Sequence, residues 1–115
     1  MGSRKTELFT EQENELAELL KVLSHPARLK IISYLLKVKT CIGNDIVEEI
    51  GMAQPTISQH LKELKRLKII QGTIEGTSIC YCIDPKGWSA FQEKVLLFFN
   101  QNPNQDAHQE GACCI

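Results

Sequence analysis

The sequence predicts a mainly α-helical domain of about five helices with one small two-stranded β-hairpin. Three observations predict it. Apolar residues recur every three or four positions through most of the chain up to Leu67, the period drops to two between Ile69 and Ile83, and helical spacing returns after Pro85. At 115 residues the chain is long enough for one domain with a modest core. We expect that domain to fill residues 1–99, with residues 100–115 as a flexible tail, because the chain beyond Asn100 is rich in Asn and Gln and poor in apolar residues.

Each element has its own signal. Leu16, Leu19, Leu20 and Leu23 place a first amphipathic helix from about Thr10 to Val22. Ser24-His25-Pro26 interrupts it. Ser24 suits an N-cap and Pro26 a first turn, so a second helix is expected from about Pro26 to Lys37. The segment from Thr40 to Asn44 is a connection, and Asp45 to Ile50 a short third helix ended by Gly51 in the left-handed conformation. Gln54-Pro55 opens the fourth helix. Ile57, Leu61, Leu64 and Leu67 form its inner stripe, and Thr56, Ser58, Gln59, Lys62, Glu63 and Arg66 its outer face. Ile69, Ile70 and Ile74 mark one strand, and Ile79, Tyr81 and Ile83 a second, with Cys80 and Cys82 on its opposite face. The turn between them is Glu75-Gly76-Thr77-Ser78. Pro85 starts a last helix containing Trp88, Phe91, Phe98 and Phe99. So many aromatics on one terminal helix exceed what one side of a small core needs, so self-association is expected.

Helix, glycine turn, helix and hairpin, in that order, make a winged helix-turn-helix. Its second helix fits the major groove, which is about 12 Å wide. At that helix's N-terminus Gln54, Thr56, Ser58 and Gln59 offer donors and acceptors to base edges. Lys62, Lys65 and Arg66 suit phosphates, and Thr77 and Ser78 at the wing tip suit the backbone or minor groove.

The net charge of −1 does not argue against this. Residues 21–99 carry 11 basic and 7 acidic side chains, while both termini are acidic. A local basic patch is what phosphate contact requires. Winged helices also serve as protein-interaction modules, and that alternative predicts no salt-sensitive DNA affinity. No catalytic triad, phosphate loop or paired-acid constellation stands out, so an enzyme is not expected. The chain has no apolar run of about 18 residues and no apolar stretch behind its polar N-terminus, so a cytoplasmic protein without a membrane partner is expected.

Three segments resemble the ArsR/SmtB family of repressors. They are the Leu23-Ser24-His25-Pro26-Ala27-Arg28 opening, the run from Ile50 to Leu64 with Ser58, His60, Leu61 and Leu64 on its core pattern, and the hairpin from Leu67 to Ile83. The resemblance covers roughly residues 16–99. It implies a homodimer built on the first and last helices, double-stranded operator DNA with inverted half-sites, and release from DNA when an inducer binds. The family's two-cysteine site at the start of the third helix is matched only by Cys41, since Gly43 stands where the second cysteine belongs. Its zinc site on the last helix has no counterpart, because residues 86–99 contain no His or Asp.

The five cysteines, in a chain expected to be cytoplasmic, suit metalloid or redox chemistry better than a disulfide framework. Cys113 and Cys114 are adjacent in the tail, where no core requires them, and neighbouring thiols suit a soft ion. Cys41 is the natural third ligand, and its place near a helix N-terminus leads us to expect a thiolate. The 14 residue steps from Phe99 to Cys113 span up to about 46–50 Å, enough to reach Cys41. No permanently bound cofactor is expected. The expected inducer is trivalent arsenic or antimony held by Cys41, Cys113 and Cys114. A thiol redox or persulfide sensor would use the same residues.

Overall fold

The computed structural model describes residues 8–38, 41–75 and 78–103. Its element order is α1 (Glu11–Leu23), α2 (Pro26–Val38), α3 (Asp45–Ile50), α4 (Gln54–Arg66), β1 (Ile70–Glu75), β2 (Ser78–Ile83) and α5 (Pro85–Phe99). This is the expected five helices and hairpin, with helix ends within a residue or so of the periodicity.

The termini explain the boundaries. Thr10 and Glu13 form a reciprocal capping box at α1: the Glu13 N–H donates to Thr10 Oγ1 at 3.0 Å, and the Thr10 N–H to Glu13 Oε1 at 2.9 Å. Ser24 does not cap α2 as expected. It closes α1 instead, with its hydroxyl donating to the Lys21 carbonyl at 2.8 Å. The start of α2 is satisfied by His25, whose Nδ1 accepts from the Ala27 N–H at 3.1 Å. Imidazole reaches that donor because the chain has already turned at Ser24. Gly51 takes φ 85° at the end of α3, a conformation costly to any residue with a Cβ, and so aims the chain from α3 into α4.

Helices α2, α3 and α4 and the hairpin share one core. Ile31, Leu35, Ile46, Ile57, Leu61, Leu64, Ile69 and Ile70 are fully buried in it. Each such side chain contributes roughly 1.5–3 kcal/mol relative to exposure. Tyr81 and Ile79 seat the inner face of β2 on the same cluster. By contrast α5 has no buried residue, and Leu96, Leu97, Phe98 and Phe99 are all more than half exposed. With Leu16, Ala17 and Leu20 of α1, Leu97 and Phe98 line an apolar groove. One end of it is tied by Lys94 Nζ to Glu15 at 2.7 Å.

The strands pair antiparallel, Ile70 with Ile83 through Glu75 with Ser78. Gly72, opposite Tyr81, has φ 143°, and a Cβ there would lie 2.0 Å from the Cys80 carbonyl oxygen. The outer edge of β2 is covered by the connection before α3. Ile42 and Tyr81 exchange backbone hydrogen bonds of 2.7 and 3.0 Å, and Asn44 Oδ1 accepts from the Ile79 N–H at 3.1 Å. No helix among the described residues is long and apolar enough to cross a membrane.

Candidate nucleic-acid interface

The α3–Gly51–α4 unit presents the N-terminal edge of α4 outward. Thr56 and Gln59 are exposed, while Gln54 and Ser58 are half-buried and bonded to each other, Gln54 Nε2 donating to Ser58 Oγ at 3.0 Å. That bond holds two base-reading candidates on one ridge. Among the described residues no side chain caps α4, and Pro55 occupies its first turn. The positive end of the helix dipole is therefore open to an anion such as a phosphate.

The expected phosphate contacts divide into two kinds. Lys62 is exposed and carries no ion pair among the described residues. Lys65 and Arg66 are already engaged. Lys65 Nζ donates to the Gly72 carbonyl at 2.6 Å and ties α4 to the wing. Arg66 pairs with Glu18 at 2.9 Å and Glu63 at 3.0 Å, and those hydrogen bonds, Glu18's first, raise its pKa. These are exposed contacts, worth little individually, so a phosphate can compete for both cations. Ser78 sits in β2, paired with Glu75. Thr77 lies outside the described residues.

Behind this surface is a polar cluster that periodicity alone could not assemble. His60 lies on the inner face of α4 and is buried. Arg28 of α2 donates from Nε to His60 Nδ1 at 3.0 Å and from Nη1 to the Val22 carbonyl at 3.0 Å. The His25 ring packs 4.5 Å from that of His60. Burial first, then the neighbouring charges of His25 and Arg28, push the His60 pKa below its ordinary 6.5. One neutral imidazole thus joins the ends of α1 and α2 to the middle of α4. The bond from Arg28 to His60 depends on a 32-residue separation that only the fold closes.

Of the cysteines in the chain, three lie among the described residues. Cys113 and Cys114 lie outside the described residues. Cys41 is exposed, and its neighbours are Cys82 and Cys80 of the wing. Its thiol is pushed up to about 11, chiefly by a hydrogen bond with Cys82, so it is protonated at neutral pH. This corrects the expected thiolate: a neighbouring thiol outweighs any help from α3, a helix of only six residues. Among the described residues no three His, Cys, Asp or Glu side chains are gathered into a metal-ion site.

An outward polar helix, set by a glycine turn and flanked by a two-stranded wing, is the apparatus of a winged helix-turn-helix transcriptional regulator. Residues 25–71 match the model of the bacterial regulatory protein, arsR family. The transcriptional repressor PagR of Bacillus anthracis is 40% identical over 68 residues, covering 59% of this chain and 68% of that protein. The crystal structure of the transcriptional repressor BigR from Xylella fastidiosa superposes with a TM-score of 0.57 at 29% identity, over 87% of this chain and 99% of that one. The homodimeric winged helix-turn-helix DNA-binding domain of Mb0332 from Mycobacterium bovis shares the fold, with a TM-score of 0.57 at 23% identity over 96% and 97% of the two chains. The chain belongs to the ArsR family of bacterial regulatory proteins.

Proposed function

We propose that this protein is a homodimeric repressor that lays α4 of each subunit in the major groove at two inverted half-sites, and leaves the DNA when trivalent arsenic or antimony binds cysteine thiols. The observation that carries the DNA reading is the exposed Thr56 and Gln59 edge of α4 beside the exposed Lys62, at a helix N-terminus that no side chain caps among the described residues. Family membership and the named repressors among the relatives support it. The exposed apolar groove between α1 and α5 supports dimerisation through those helices, since a patch of this kind on a small domain marks an interface.

The inducer reading rests on Cys41, which is solvent-accessible, together with the adjacent Cys113 and Cys114. Thiol ligands suit soft ions. Occupancy need only bias the dimer between geometries. A coupling of about 1–3 kcal/mol corresponds to roughly 5–150-fold weaker DNA binding. The test is binding of the reduced protein to DNA upstream of its own gene, with and without micromolar arsenite. Release is expected for the wild type and not for Cys41→Ser or Cys113→Ser/Cys114→Ser. Tight binding indifferent to arsenite overturns the inducer assignment.

The pairing of Cys41 with Cys82 favours a second reading, a thiol redox or persulfide sensor. In it DNA release accompanies S–S bond formation, seen as a mass loss of about two hydrogens per disulfide.

A further inference from the structure

The connection before α3 runs antiparallel to β2, and its register is set by a single bridge. Ile42 and Tyr81 exchange both backbone hydrogen bonds, so the next pair along, Cys41 opposite Cys82, is a non-hydrogen-bonded pair. In such pairs the Cα atoms lie about 4.5 Å apart and the side chains stand closest. Ile42 and Tyr81 face inward, so by alternation Cys41 and Cys82 share the outward face. Cys80 lies on that same face two residues along β2. Gln71 of β1, opposite Cys82, donates from Nε2 to its sulfur at 3.7 Å. Cys41 and Cys82 thus pair where the helix-turn-helix joins its wing, with Cys80 further along the same face.

We propose that Cys41 and Cys82 form a dithiol site for a trivalent arsenic or antimony hydroxide. This rests on the thiol-sensing reading above and extends it from Cys41 and the tail to the wing. The bonding is a condensation. Each sulfur–arsenic bond forms as one arsenic–oxygen bond breaks, and the thiol proton departs with that hydroxide as water. Two thiols release two waters and leave one hydroxide on arsenic. The element stays trivalent, and no oxidant is needed. The raised pKa of Cys41 suits this species, which supplies its own proton acceptor. A divalent cation needs thiolates already formed, and a peroxide needs a thiolate nucleophile. Occupancy would clamp β2 to the segment leading into α3, coupling the wing to the element that aims α4.

The test uses full-length reduced Cys113→Ser/Cys114→Ser protein, which keeps only Cys41, Cys80 and Cys82. The probe is phenylarsine oxide, which has positions for two thiols, followed by counting the free thiols. One equivalent is expected to leave one thiol of three. Adding Cys41→Ser or Cys82→Ser is expected to weaken capture at least about 100-fold, as loss of the second arm of a chelate does. Adding Cys80→Ser leaves it unchanged. DNA binding without arsenical, equal to that of the parent, shows that each variant is folded. Failure of the parent to take up the probe, or undiminished capture by the Cys82→Ser form, overturns the site. Capture by this parent, with wild-type protein that stays on its DNA in the presence of arsenite, overturns the sensing reading alone.

Discussion

Replacing Arg28 by Met keeps much of the aliphatic bulk and removes both guanidinium hydrogen bonds. It deprives His60 Nδ1 and the Val22 carbonyl of their 3.0 Å partners at once. Hydrogen bonds from a charged donor contribute about 1.5–3 kcal/mol each. Both are part-buried, so the lower figure applies, and the pair is worth roughly 3 kcal/mol. At about 4 °C per kcal/mol for a domain of this size, Tm falls by about 12 °C. Urea unfolding at fixed protein concentration measures the loss, concentration being held because a dimer's stability depends on it. Arg28→Lys should fall between wild type and Arg28→Met, since one ammonium cannot reproduce the fork to both acceptors. DNA affinity should fall with stability, because the same cluster holds α4 against α1 and α2. A loss under about 0.5 kcal/mol for Arg28→Met would refute the claim that this network positions the recognition helix.

Gly72→Ala is expected to break the wing register, since its Cβ would lie 2.0 Å from the Cys80 carbonyl at a φ of 143°; undiminished DNA affinity would contradict a role for the wing. Lys62→Ala should lower the slope of log affinity against log salt by about 0.9, the share of one phosphate contact, and an unchanged slope would place Lys62 off the DNA. Leu97→Asp puts a charge into the α1/α5 groove and should yield monomers in sedimentation; a persistent dimer would move the interface elsewhere. The His60 imidazole should titrate below 6.5 by NMR. Its folded pKa is lowered, so its contribution to stability is full above about 6.5 and is lost as pH falls through the folded value. A midpoint at or above 6.5 would refute its burial as a neutral base.

The elements were legible because each is announced locally. The 3.6-residue stripe of α4, the proline after Gln54, the glycine after Ile50 and the alternation of β2 depend only on near neighbours. Long-range contacts carried no such signal. Lys65 and Arg66 read as free cations, yet the fold sets one against the Gly72 carbonyl and the other between two glutamates. His25 takes the α2 cap expected of Ser24, which closes α1 instead, because both are competent caps and the entry angle of α2 decides between them. Cys80 and Cys82 were visible as an alternating pair, but pairing them with Cys41 needed the Ile42–Tyr81 bridge, whose register no local pattern encodes. The aromatic richness of the last helix was legible as surplus apolar surface, and α5 does leave Phe98 and Phe99 largely outside the core.

The most direct test of the account is the affinity of the reduced, metalloid-free protein for a duplex from upstream of its own gene, measured from 50 to 200 mM salt beside a scrambled duplex of equal length. Tight binding to the upstream duplex that weakens steeply and linearly in log–log form, with the scrambled duplex bound far more weakly, is the result predicted for a sequence-specific repressor. Equal affinity for both duplexes, or an affinity that does not respond to salt, would contradict it.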